Sequence, residues 1–132
     1  MIGVLDTSVA SLLHNNRTEY LPYQHYLGTS TAYISFQTVA EMRAGSLMNN
    51  WGIRKRHELE VLLSQFVVVE TNDQLASNWA EIISHSKKVG RKLEVGDAWI
   101  AATALLLNIP LLTHDKDFDK TACPSINVIS FV

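Results

Sequence analysis

Five carboxylates in this chain stand where a fold could gather them: Asp6, Glu41, Asp97 and the pair Asp115 and Asp117. Asp6 ends the apolar run Ile2-Gly3-Val4-Leu5, and Asp115 comes two residues after Leu111-Leu112-Thr113, so both mark the ends of predicted strands. Asp97 falls in the first turn of a predicted helix, where negative charge is favoured, and Glu41 lies about two turns into another. In an α/β domain such positions converge on the carboxyl edge of a parallel sheet, where these folds keep their sites. Unpaired carboxylates brought together there repel one another. A divalent cation with hard oxygen ligands is the chemistry that relieves the repulsion.

Each acid also has an ordinary role open to it. Asp6 would serve as a turn or cap acid before Thr7-Ser8, Asp97 as a helix-start acid, and Asp115 with Asp117 as a polar turn. Glu41 would be a solvated helix residue, although Val39, Ala40, Met42 and Ala44 surround it. The ordinary roles together require four coincidences, whereas a shared cleft requires one.

The elements that would position these groups follow from apolar periodicity and from start and stop signals. Ile2 to Leu5 reads as a buried strand, and Thr7 or Ser8 as the cap of a short helix through about His14, broken by Asn15-Asn16-Arg17. Glu19 to Leu27 reads as a second helix ending at Gly28. Ala32 to Ser35 is a short strand, with Ser35 capping a helix through about Leu47. Ile53 to Phe66 is amphipathic through Leu59, Leu62, Leu63 and Phe66. Val67-Val68-Val69 forms a third strand. Thr71 or Asn72 starts a long helix with Leu75, Trp79, Ile82 and Ile83 on one stripe, ending near Gly90. A further helix runs from about Val95 to Leu107, with Asn108 and Pro110 as stop signals. Leu111 to Thr113 and Val128 to Val132 are the last strands. Helices alternating with short apolar strands predict an α/β fold, a three-layer α/β/α sandwich with a mostly parallel central sheet.

At 132 residues, 47% of them hydrophobic, residues 1–132 are expected to form one domain around a sizeable core. No linker, repeat or low-complexity tract divides them. The lone Cys123 has no intrachain partner and no Cys/His cluster has zinc spacing, so a reducing cytoplasm is the expected compartment. The longest apolar stretch, Ala98 to Leu107, is too short to span a bilayer, and no secretory leader is evident. The formal net charge is −2, but without the five acids 11 basic residues face 8 acidic ones, so the total does not exclude a nucleic-acid partner. Lys87, Lys88, Arg91 and Lys92 form the densest basic run, and Arg54-Lys55-Arg56-His57 is a second. Such runs either contact phosphates or simply solvate a helix face. Trp51, Trp79 and Trp99 could stack on bases, but Trp79 and Trp99 sit on helical stripes and read as core. His114 adjoins the acidic positions and reads as a surface histidine or a substrate contact.

Four blocks, in this order, resemble the PIN-domain ribonucleases, and among them the VapC-type toxins of toxin–antitoxin operons. They are Leu5-Asp6-Thr7-Ser8-Val9; Ser35 through Thr38-Val39-Ala40-Glu41-Met42 to Gly45; Asp97-Ala98-Trp99-Ile100-Ala101-Ala102-Thr103-Ala104; and Leu112-Thr113-His114-Asp115-Lys116-Asp117-Phe118. The resemblance covers essentially the whole chain. It implies a PIN-like fold and a divalent-metal-dependent endoribonuclease using Mg²⁺ or Mn²⁺, with the first three acids of the family at Asp6, Glu41 and Asp97. The fourth falls on Asp115 or Asp117, with Asp115 favoured. On that reading Asp6 and Asp97 hold the ion directly, Asp115 directly or through water, and Glu41 binds it or orients the attacking water. Thr7 and Thr113 donate hydrogen bonds that orient the carboxylates. The resemblance further implies an RNA substrate, a cognate VapB-type antitoxin entering the acidic groove, and a homodimer. Arg43, two residues past Glu41, is a candidate contact for RNA or antitoxin. The stripe Leu12, Leu13, Tyr20, Tyr23, Tyr26 and Leu27 serves as core or as a contact surface.

Two rival classes lack their residues. A phosphatase of the haloacid dehalogenase type needs an acid two residues after Asp6, where Ser8 stands. A receiver domain needs an aspartate ending the third strand and a lysine ending the fifth; Val69 runs into Glu70, and the last strand has no lysine. The remaining alternative is a non-catalytic PIN-like module that binds metal or RNA without turnover.

Overall fold

The computed structural model describes residues 1–119 and 121–132. Apolar runs too short for helices become strands: β1 (Gly3–Leu5), β2 (Ala32–Ser35), β3 (Val67–Val69), β4 (Leu111–Leu112) and β5 (Val128–Ile129). They form one sheet in the order β3-β2-β1-β4-β5, and every pairing is parallel. The helices are α1 (Thr7–His14), α2 (Leu21–Leu27), α3 (Phe36–Met48), α4 (Ile53–Leu63), α5 (Asp73–Lys88) and α6 (Val95–Leu107).

Alternation along the central strands divides the core into two layers. Val4 and Leu111 face Leu75 and Ile82 of α5 and Ile100, Ala101 and Ala104 of α6. Their neighbours Leu5 and Leu112 turn the other way, with Ile34, onto Val9, Tyr23, Met42, Leu59 and Leu63 from α1 to α4. Each such apolar side chain, fully buried, contributes about 1.5–3 kcal/mol. The three-layer expectation therefore holds, with a sheet that is wholly rather than mostly parallel. Trp79 and Trp99 pack against the first layer with stacked rings 5.2 Å apart, and Tyr20, Tyr23 and Leu27 lie inside the second. The tryptophans and most of the apolar stripe are thus core.

The structure also corrects several boundaries. Asp6, rather than Thr7 or Ser8, caps α1, its carboxylate accepting the Thr7 N–H; an ionised carboxylate is a stronger acceptor than a hydroxyl. The second helix opens as a 3-10 turn over Thr18–Tyr20, with Pro22 in the first turn of α2. α4 stops at Leu63, and the last strand spans only Val128–Ile129. Val67 and Val68 remain 46% and 40% exposed because β3 is an edge strand, a distinction that a local apolar run does not carry. Asn108, in the left-handed region at φ 53°, ends α6 and leads the chain to β4.

The sheet order fixes where a site can form. From β1 the chain builds outward through β2 to β3, then crosses to β4 and β5 on the other side. The reversal lies between β1 and β4, and the crevice beyond the carboxyl ends of these two strands is where open α/β sheets bind ligands.

Candidate functional site

Asp6 and Asp115 rise from the two sides of that reversal. Asp6 directly follows β1 and is 3% exposed, with three donors holding its carboxylate. The Thr7 main-chain N–H reaches Oδ1 at 2.7 Å, while the Ser8 and Thr113 hydroxyls reach Oδ2 at 2.7 and 2.8 Å. Burial pushes Asp6 above the usual carboxylate range, and these hydrogen bonds oppose the push. Of four acceptor lone pairs, one on Oδ1 stays uncommitted.

Thr113 is the joint between the strands. Its hydroxyl donates to Asp6 and accepts the Asp115 N–H at 3.0 Å, so one buried side chain sets both carboxylates. Asp115 Oδ1 in turn accepts the Asp117 N–H at 2.9 Å, which turns the loop tightly between the two acids. Opposite, the first turn of α6 delivers Asp97. One oxygen from each of Asp97, Asp115 and Asp117 lies within 4.8 Å of the other two.

The electrostatics tie all five acids together. Asp97 is pushed up to about 7, first by burial and then by the charges of Asp6, Asp115, Glu41 and Asp117. A trio of hard oxygens brought this close together is a donor set suited to a divalent cation.

Glu41 approaches from α3. Its Oε1 accepts from Gln37 Nε2 at 2.9 Å, one helical turn earlier. A Cβ at Gly96 would lie 2.6 Å from that amide nitrogen and 2.7 Å from that oxygen. Glycine beside Asp97 is therefore what lets α3 and its Gln37–Glu41 pair press against the start of α6.

The remaining candidates divide. Thr7 does reach Asp6, but through its main chain; its hydroxyl pairs with buried Thr38 at 3.0 Å. Arg43 does not point into the cleft as an unpaired cation, since it forks onto Glu60 of α4 at 2.7 and 3.1 Å. Lys87 and Lys88 are exposed at the end of α5 and Lys92 is exposed in the turn beyond, while Arg91 pairs with Asp119, two residues from Asp117. Trp51 stacks on His14, and the Lys55 ammonium sits 4.0 Å from its ring centre. Four contributors escaped the sequence reading: Ser8, Gln37, Thr38 and Tyr23. Ser8, Gln37 and Thr38 lay within the blocks already singled out, and their polar side chains there were the available signal.

A model of the PIN domain matches residues 3–123. The chain belongs to the PIN-domain family. Among curated relatives, ribonuclease VapC1 of Haemophilus influenzae (strain R2866) is 30% identical over 91% of this chain and 92% of its own length. Ribonuclease VapC5 of Mycobacterium tuberculosis is 30% identical over 88% of this chain and 84% of its own. Among solved structures, VapBC-1 from nontypeable Haemophilus influenzae superposes with a TM-score of 0.82 at 28% identity, covering 98% of both chains. In this PIN domain the matched segment contains all five acids and both strands of the reversal.

Proposed function

We propose that this PIN domain is a divalent-metal-dependent endoribonuclease, the toxin of a VapBC-type toxin–antitoxin pair. The observation that carries the reading is the Asp97, Asp115 and Asp117 trio at the sheet reversal, with Asp97 pushed up to about 7 by burial and by its acidic neighbours. The near full-length similarity to proteins named ribonuclease VapC supports it.

Asp97, Asp115 and Asp117 would hold Mg²⁺ or Mn²⁺, with Asp6 contributing the free lone pair of Oδ1. A bound ion would supply Lewis-acid neutralisation of the phosphate and a more acidic water. The chain's own residues prepare that chemistry. Thr113, Ser8 and the Thr7 N–H fix Asp6, so no reorganisation is needed when substrate arrives. Gln37 fixes Glu41, whose uncommitted oxygen would accept a proton from the water that attacks phosphorus. Lys87, Lys88 and Lys92 would meet phosphates of the strand outside the cleft. We read residues 1–132 as one such domain, acting in the cytoplasm as a homodimer and silenced by a VapB-type antitoxin, the partnership named for VapBC-1. In the described residues no helix is long and apolar enough to cross a membrane.

The test is cleavage of total RNA by purified protein. Cleavage is expected with Mg²⁺ or Mn²⁺, none in excess chelator, and none from Asp6→Asn or Asp97→Asn proteins that melt cooperatively. Equal cleavage by all three proteins in chelator overturns the assignment. Metal and RNA binding without cleavage under any condition selects a non-catalytic binding module.

A further inference from the structure

His114 stands between the residue that joins the two strands and the first acid of the loop. Its N–H donates to Ser8 Oγ at 3.0 Å, which itself donates to Asp6, so the backbone of His114 is tied into the cleft wall. Its ring lies against Tyr23 of α2, edge to face at 5.6 Å.

The Tyr23 hydroxyl is wholly enclosed and has three close partners. It lies 2.8 Å from the Thr113 carbonyl oxygen, 2.7 Å from His114 Nδ1 and 3.0 Å from the Phe131 nitrogen. A hydroxyl carries one proton. The Thr113 carbonyl can only accept, so at 2.8 Å the phenolic proton must point to it. The Phe131 N–H can only donate and occupies one lone pair of the phenolic oxygen. His114 Nδ1 at 2.7 Å must then bring its own proton to the other. The contacts therefore require a proton on Nδ1, and in the neutral ring Nε2 is then the bare nitrogen.

Among the described residues Nε2 has no hydrogen-bond partner, and the His114 side chain is half-buried rather than enclosed. We propose that Tyr23 locks His114 in the Nδ1–H tautomer so that Nε2 faces the nucleic acid at the cleft rim as a fixed hydrogen-bond acceptor, reading a donor on the RNA strand. That donor is a ribose 2′-hydroxyl or a base amino group. The proposal rests on the ribonuclease reading above and adds a substrate-contacting residue to it. Neither the acids nor the lysines can do this work, because the acids are taken up by the metal site and ammonium groups only donate.

Two measurements test it on the full chain. Long-range ¹H–¹⁵N spectra at pH 8.5 should show His114 protonated on Nδ1, and Tyr23→Phe should move the signal toward the Nε2–H form. An Nε2–H ring in the wild type overturns the proposal. In cleavage assays, RNA oligonucleotides carry either single 2′-deoxy or 2′-O-methyl sugars, or purines lacking an amino group. One substitution should slow the wild type about 2- to 12-fold, the range of a single neutral hydrogen bond. The same substitution should leave His114→Asn unaffected, since its amide can still reach Tyr23 while the Nε2 acceptor is gone. The responding series distinguishes sugar from base. Equal penalties in both proteins across both series overturn it. An inactive wild type overturns the nuclease reading and the RNA contact with it, and the spectra decide the tautomer regardless.

Discussion

Replacing Asp97 with asparagine should make the metal-free protein more stable. Raising a carboxyl from 3.8 to about 7 corresponds to about 4 kcal/mol of unfavourable interaction on its charged form. Asp97 is half-buried, and solvent screening reduces the figure to about 2 kcal/mol. Asparagine keeps the shape and removes the charge. In chelator at pH 8, Asp97→Asn should therefore unfold about 2 kcal/mol later in urea, or roughly 6–10 °C later on heating. The sign with pH follows from proton binding. Between 3.8 and about 7 the folded protein holds more protons at Asp97 than the unfolded chain does, so wild-type stability declines as pH rises through that window and is level above it. The advantage of the variant is accordingly full at pH 8 and shrinks as pH falls below 7. Mg²⁺ at a hundred times its dissociation constant should return about 2.7 kcal/mol to the wild type and much less to the variant, reversing or closing the gap. A variant less stable than wild type in chelator at pH 8, and equally responsive to Mg²⁺, would refute the claim that these carboxylates repel and share an ion.

Three other outcomes are expected. Thr113→Val removes the donor to Asp6 and the acceptor of the Asp115 N–H at once; it should cost about 1–3 kcal/mol in urea unfolding and lower cleavage beyond what the unfolded fraction explains. Gly96→Ala should displace the Gln37 and Glu41 side-chain ends and slow cleavage about 10- to 100-fold with little loss of stability, whereas Gly45→Ala, where a new Cβ meets nothing, should do neither. Lys87→Gln combined with Lys88→Gln should flatten the dependence of log affinity on log salt by about 1.4 for single-stranded RNA, measured on the Asp97→Asn protein.

Part of the candidate site was legible because two of its acids are written beside strand ends. Leu5-Asp6 and Leu112-Thr113-His114-Asp115 carry both the apolar run and the group that follows it, and β1 and β4 do pair, so Asp6 and Asp115 are brought together. Asp97 was legible as a first-turn acid. What the chain did not disclose are partnerships between distant segments. Thr113 reaches Asp6 across 107 residues and Tyr23 reaches Thr113 across 90, and neither hydroxyl has a local pattern that names its partner. Arg43 read as a candidate contact for RNA or antitoxin, and its pairing with Glu60 of α4 has no local signal either. The exposure of β3 was equally hidden, since Val67-Val68-Val69 reads the same at the edge of a sheet as in its middle.

The placement of β4 beside β1 has a bearing on synthesis. Earlier residues wait for later ones: until Leu111 and Leu112 have emerged and paired with Val4 and Leu5, the Thr113 hydroxyl cannot reach Asp6. A nascent chain that has not yet released those two leucines thus carries a cleft lacking one wall, and the acids of the two strands cannot meet before then.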